Sequence, residues 1–593
     1  MAETIISPGV FQRENDISFI SPAPVEVGAC IIGPTVKGPV EIPTTVTSYN
    51  AYKRIFGETF DSGSVASAKS EYLTSIAAKN YFSQGGNTLL VQRVVTGSYT
   101  AADNTYISSS VDSGSNNVNQ QPFTLNTIGK GTIYNSAGTQ VVPATDFNSD
   151  NSIKSGSEDN LRWEISNVSS AKGTFTLAVR RGDDNHAQKV VLETYNNLSL
   201  DPNSSDYIAK RIGDQVSSLS GGQITVTGDH PNVSKYIRVA NVALKTNNYL
   251  KTDGVTINSA SAGFNTAYGL TAPTGFENFL PSAGSGSFYN ATGSLNATLK
   301  TFSNIDSNNQ GVTAGNYTNS ITLLENKDNY KFNIITAPGI NATDHSDTVG
   351  SLISLAETRG DCIAVIDLDG YGSAVSTQTT KAAARNSSYA ASYYPWVKTI
   401  SATGADVWCP PSTFVPGVYA FTDNSSAPWF APAGLVRGGI AGITGIEKKL
   451  AKADRDTLYD GKVNPIASFP GTGFTIFGQK TLQTKSSALD RVNVRRLLIE
   501  LKEFIGNQAT NLVFEQNTIQ TRNSFLSAVN PYLERVVQRQ GLFSFRVVMD
   551  DTNNTADVVD RNQLIGQIFI QPAKTAEYIV LDFVVEPTGA TFN

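Results

Sequence analysis

The spacing of apolar positions changes character along the chain, and the changes divide it. VEVGACIIG, from Val25 to Gly33, is a nearly continuous apolar run closed by glycine, the pattern of a buried strand. SYNAYKRIFG (48–57) and SAKSEYLTSIAAKNYFSQGG (67–86) predict helices, the second ended by paired glycines, and NTLLVQRVV (87–95) predicts another strand. From about Thr96 to Asn329 the texture shifts to Ser, Asn, Gly and Thr with brief strand-like pieces such as GTFTLAVRR, QKVVLETYNN and QITVTGD. Only DYIAKRIGDQVSSL (206–219) has a clear helical period there. This stretch is expected to be a β-rich insertion of two subdomains.

Alternation of strands and helices returns at about Tyr330. YKFNIITAPG predicts a strand, DTVGSLISLAETRG a helix with Leu352, Leu355 and Ala356 on one face, and DCIAVID a second strand. TQTTKAAARNSSYAASYYPWVKT is expected to be helical in its first part. Strand–helix–strand units on both sides of the insertion imply one sheet shared by residues 25–95 and 330–450. In RVNVRRLLIELKEFIG the apolar residues at 494, 497, 498, 501, 504 and 505 form one helical stripe, with Asp490 as the expected N-cap. TRNSFLSAVNPYLERVVQRQG repeats the pattern through Phe525, Val529, Leu533, Val536 and Val537. Pro531 is expected to kink or divide that helix and Gly541 to end it. Three strands are then expected: LFSFRVVMD, LIGQIFIQP and EYIVLDFVVE.

The organisation that follows is an α+β / α/β multidomain chain. Its α/β core is assembled from N- and C-terminal parts, with a β-rich insertion and extended terminal arms. The expected divisions are an N-terminal arm 1–24, core 25–95, insertion 96–329, core 330–459 and a C-terminal domain 460–593 with its terminal strand.

Composition narrows the function. At 593 residues several cores are needed, and 40% hydrophobic residues supply them. Charged residues are only 16%, against roughly 25% in ordinary soluble domains. A low charge density suits a surface pressed against neighbours, where isolated charges are costly to desolvate, and equally suits a neutral polar coat on a loop-rich β protein. The net charge of −6 argues against a nucleic-acid partner. No stretch approaches the ~20 apolar residues of a membrane span, and the N-terminus lacks the basic and apolar regions of a secretory signal. Cys30, Cys362 and Cys409 are far apart, and Cys30 and Cys362 lie in strand-like runs, so buried free thiols are expected and no zinc site.

The most enzyme-like string is IAVIDLDGYG. A hydrophobic strand entering Asp-X-Asp-Gly resembles the first motif of haloacid-dehalogenase-type phosphatases, in which Asp367 would be the nucleophile and Asp369 the general acid. Tyr371 stands where that family has Thr, and no later Lys and paired-Asp motif is convincing, VVMDDTNN being the nearest. A strand end closed by an Asx turn explains the string more simply. GTGFTIFGQKTL lacks dinucleotide-loop spacing. His186, His230 and His345 sit in turn-like contexts, and no nucleophile elbow is present. Catalysis, a cofactor and a metal are therefore not expected.

A family resemblance runs through the C-terminal half. NSSYAASYYPWVKT, VWCPPSTFVPGVYAFTD, PWFAPAGLVRGGI, YDGKVNPIASFPGTGFTIFGQKTL, VNVRRLLIELKEFI, NLVFEQNT and LIGQIFIQPAKTAEYIVLDFVVEP resemble, in order, successive blocks of contractile tail sheath proteins of myovirus-type bacteriophages. SPGVFQREND resembles the sheath N-terminal arm. VRRGDDNHAQKVVLETYNNLSLDPNSSDYIAKRIGDQ is similar to part of the inserted domain of larger phage sheaths.

The resemblance implies a homo-oligomer: hexameric rings stacked as a six-start helical tube around a tail tube, contracting on a baseplate signal. Baseplate and tail terminator proteins would be partners, with neither nucleic acid nor direct membrane insertion involved. The location would be the virion, after assembly in the host cytoplasm. A phage-derived bacteriocin or secretion device is the alternative within the same class.

The expected inter-subunit arm is Ser7, Pro8, Gly9, Val10, Phe11 and Ile17, in ISPGVFQRENDIS; the expected terminal strand carries Tyr578, Val580, Leu581, Phe583 and Val585. Each would complete the small sheet of a neighbour by backbone pairing. Arg495, Arg496, Lys502, Arg522, Arg535 and Arg539 are expected on the polar faces of the last two helices, turned to an acidic tube.

Overall fold

A computed structural model describes residues 27–577 apart from 62–68, 110–120, 143–145, 221–222, 247–248, 251–253, 257–279, 295–311, 313–314 and 472. The arm residues Ser7–Ile17 and the terminal strand Tyr578–Val585 lie outside the described residues.

Eight strands form the largest sheet, in the order Thr44–Val46, Leu89–Arg93, Val27–Gly33, Phe332–Asn341, Ile363–Asp367, Ala390–Tyr394, Asn464–Phe469 and Gly473–Ile476. The six inner strands are parallel, and the two outermost pair antiparallel. Successive residues feed opposite cores: Ala29, Ile31 and Val91 face one cluster, Cys30, Ile32 and Leu90 the other. The first layer includes helices Tyr49–Phe56, Leu73–Ser83 and Val415–Ser425, the second Ser346–Arg359 and Val375–Ala383. Burial on both faces is why these strands read as continuous apolar runs. Cys30, Cys362 and Cys409 are all buried and free.

Two boundaries move. Helix Asn316–Leu324, read as part of the insertion, packs Tyr317, Ile321 and Leu324 into the cluster that holds Cys30 and Ile335. Strands Asn464–Phe469 and Gly473–Ile476, read as C-terminal, complete the core sheet. Asn464 fastens them: its Nδ2 donates to the carbonyls of Ser392 (3.0 Å) and Lys480 (2.8 Å), and its Oδ1 accepts from the Lys480 amide (2.6 Å).

Between the two parts of the core the described residues form an antiparallel seven-stranded sheet and a separate two-stranded hairpin, Val216–Ser220 with Gln223–Thr227, the first strand of which replaces the end of the helix expected at 206–219. The order of the seven-stranded sheet is Val191–Ser199, Thr174–Arg181, Leu161–Ser169, Gly284–Tyr289, Ala101–Asn104, Phe123–Lys130 and Ile237–Val242. Phe123–Lys130 alternates buried and half-buried residues over its whole length, as a sheet with one covered face requires.

Asp490 does not cap the helix after it. It ends a 3-10 turn, largely buried and ion-paired with Arg491 at 2.9 Å, and the helix Val492–Thr510 begins two residues later without a side-chain cap. Nor does Pro531 divide its helix, which runs unbroken from Ile519 to Gln538.

Candidate inter-subunit surface

Helix Val492–Thr510 has two apolar faces. Val492 and Ile499 join the core cluster, whereas Leu497 and Leu501 join a separate one with Phe525, Val529, Leu533 and Val536 of helix Ile519–Gln538. On this second cluster lies an antiparallel ribbon of two strands, Leu542–Val548 and Gln567–Pro572. Phe545, Val547, Ile568 and Ile570 face inward and are half-buried, while Phe543 (70% exposed) and Phe569 (56%) face outward. Among the described residues neither ribbon edge has a further strand beside it. The surface thus combines open backbone donors and acceptors with exposed aromatic rings, a combination suited to accepting an added strand.

The doubly buried helix also corrects the reading of the basic residues. Arg495 and Arg496 are buried, not set on a polar face. Arg495 donates to the Ser388 carbonyl (3.2 Å) and hydroxyl and stacks 4.0 Å above the Tyr389 ring. Arg496 grips both carboxylate oxygens of Asp423 at 2.7 and 2.5 Å. Burial disfavours the charge on Arg496, but Asp423 more than restores it and the guanidinium pKa is raised. Arg522 is likewise buried, bonded to Asn517 (2.9 Å) and Asp551 (2.7 Å). A helix enclosed on two sides must satisfy its arginines within the chain. Lys502, Arg535 and Arg539 are exposed, although Lys502 reaches the Tyr389 hydroxyl and Arg539 the Ser426 carbonyl.

The carboxylates of Asp367 and Asp369 take separate partners within the chain. Asp367 is buried at its strand end and accepts from the Ser412 amide (3.2 Å) and hydroxyl (2.5 Å), bracing the turn before helix Val415–Ser425. Burial pushes its carboxyl up to about 7, the Ser412 bonds pulling the other way. Asp369 accepts from the Gly370 amide at 3.0 Å, and its carbonyl accepts from the Trp396 indole at 3.3 Å. No group of three or more His, Cys, Asp or Glu side chains is arranged for a metal among the described residues.

Two polar sites escaped the sequence reading. Fully buried Arg93 donates to the carbonyls of Gly38 (2.7 Å) and Lys130 (3.0 Å), tying the core to the seven-stranded sheet. Its signal was a charge inside the apolar run NTLLVQRVV. The second is a cleft of about 1180 Å³ between core and ribbon, lined by Trp429, Tyr459, Lys480, Leu542 and Glu577 among others. Its parts are dispersed in sequence, and no local pattern announces it.

Residues 310–482 match the family described as phage tail sheath protein central domain, and residues 484–586 match the phage tail sheath C-terminal domain. The chain is 42% identical over 185 residues to the tail sheath protein of Vibrio phage KVP40 and 40% identical over 186 residues to that of Enterobacteria phage T4. Each match covers 31% of this chain and 28% of the relative, so the similarity spans under a third of either curated protein. The crystal structure of a sheath tail protein from Listeria innocua shares the fold, with a TM-score of 0.50 over 92% of this chain and 95% of that one at 10% identity. Residues 310–482 and 484–586 are thus similar, in order, to the central and C-terminal domains of phage tail sheath proteins.

Proposed function

We propose that this chain is a structural, non-catalytic subunit of a contractile phage tail sheath, polymerising as a helical tube around a tail tube and contracting to drive it through the host envelope. The observation that carries the reading is the ordered pair of sheath-domain matches ending in a ribbon with two unpaired edges among the described residues. The relatives are tail sheath proteins of phages, which supports a place in the virion tail; assembly in the host cytoplasm is part of the same proposal. The tube, baseplate and tail terminator proteins are the proposed partners.

In this reading residues 1–24 are an arm, the seven-stranded sheet is an outer-surface insertion, and the ribbon is the hub of an inter-subunit mesh. Ser7–Ile17 and Tyr578–Val585 are donated to the ribbons of adjacent subunits. Each backbone bond contributes about 1 kcal/mol net, so a five-residue arm supplies ~5 kcal/mol before ordering costs. Such links hold while the globular bodies slide. Of the basic residues, only Lys502, Arg535 and Arg539 keep a solvent-facing position suited to an acidic tube.

Deleting residues 1–18 tests the mesh. The truncated chain should remain a folded monomer by circular dichroism and sedimentation yet form no striated tubes under the electron microscope. Normal tubes from the truncated chain would refute the arm assignment.

A further inference from the structure

The chain leaves the ribbon at Pro572, returns a backbone bond from Ala573 to the Gly541 carbonyl (3.1 Å), and crosses the edge of the cleft to Glu577. There the Glu577 carboxylate is held by four donors. Oε1 accepts from Arg491 Nε (2.7 Å) and Gln479 Nε2 (3.0 Å), and Oε2 from Arg491 Nη2 (2.9 Å) and the Tyr459 hydroxyl (2.9 Å). Gln479 Nε2 also donates to the Thr575 hydroxyl at 2.6 Å.

All three donor residues belong to the core side. Tyr459 is near the end of helix Lys452–Asp460, which packs on strand Asn464–Phe469. Gln479 is buried just after the outermost strand, and Arg491 precedes the helix whose first half enters the core. Lys480 Nζ braces Tyr459 from behind, donating to its carbonyl at 2.8 Å and lying 4.2 Å from its ring. Burial opposes the charge on Glu577, but the bonds from Arg491, Gln479 and Tyr459 and the Arg491 charge outweigh it, so the carboxyl is held below its ordinary range.

We infer that Glu577 is a positioning residue that clamps the C-terminal tail to the core, fixing where residues 578–593 depart and sending any tension on them into the eight-stranded sheet. The alternative load path, through the ribbon, would peel two strands that have no third strand beside them among the described residues. The clamp prevents this because its bidentate, charge-assisted bonds join the tail to the core directly, beyond the ribbon. What pulls on the tail follows from the sheath reading; the clamp itself does not depend on it.

Lys574 is exposed and lies three residues before the clamp, so trypsin reports its state through release of the 575–593 peptide. Glu577→Ala in the full chain should accelerate that release about tenfold or more, with Glu577→Gln intermediate, as loss of charge-assisted bonds implies. The same variant should raise the concentration needed for tube assembly about tenfold. A release rate within twofold of the parent overturns the clamp. Faster release with unchanged assembly overturns its role in positioning the tail. Failure of the unaltered chain to assemble would sink the sheath reading alone, and the release rate would still decide the clamp.

Discussion

The eight-stranded core sheet and the two-stranded ribbon are both built from apolar strands, yet they stand in opposite relations to the rest of the molecule. Strand Ile363–Asp367 is buried at every residue, flanked on both sides by further strands and covered on both faces by helices. Strand Gln567–Pro572 alternates exposed and half-buried residues, has one neighbouring strand among the described residues, and leaves Phe569 in solvent. A many-stranded sheet buried on both faces is stabilised from within its own chain. A two-stranded ribbon is marginal without more strands, whatever its side chains. The core therefore supplies the rigid body, and the ribbon is the part with something to gain from a neighbour.

Changes in the two regions should differ in size and kind. The largest effect on stability is expected from Phe414→Ala in the core. Its ring is fully buried, and removing it should cost about 3–5 kcal/mol, read as a lower urea midpoint with an unchanged slope. A loss under about 1 kcal/mol would show the core to be far more accommodating than its packing implies.

A smaller, pH-dependent effect is expected at Asp367. Because burial raises its pKa from 3.8 to about 7, the native state holds the proton more tightly than the unfolded chain. The stability this contributes is complete below 3.8 and is lost as pH rises toward about 7. Asp367→Asn keeps an acceptor for Ser412 without the charge, so its melting temperature relative to the parent should climb between about pH 4 and about pH 7 and level off above that. A constant difference across that range would show that Asp367 does not titrate as its surroundings require.

The smallest effect on stability is expected on the helix beneath the ribbon. Reversing Arg535 and Arg539 to Glu should change unfolding free energy by about 1 kcal/mol or less, since both are exposed. Co-assembly with an acidic tail tube should nevertheless weaken, as a co-sedimentation assay would register. Unchanged co-sedimentation would remove these two residues from the tube-facing set.

Legibility followed the range of the interactions. VEVGACIIG, DCIAVID and YKFNIITAPG were readable as core strands because burial on both faces forces a run of apolar residues. The amphipathic stripe through Phe525, Val529, Leu533 and Val536 was readable because one packed face forces a period. Arg495 and Arg496 were misread because the first half of helix Val492–Thr510 is enclosed, and their partners Ser388, Tyr389 and Asp423 are remote in sequence. The division at 460 failed for a similar reason: the strand at Asn464 is fixed by bonds to Ser392 and Lys480, not by any local break.

The sequence by itself determined the apolar strands of the core and the amphipathic helices after it, and the order of blocks that resembles the sheath family, because local periodicity and residue identity are properties of the chain. Only the tertiary structure decided which strands share a sheet, which arginines are used up inside, and that Glu577 meets Arg491, Tyr459 and Gln479. Those outcomes depend on side chains from distant segments meeting in one place, and spacing along the chain carries no record of that.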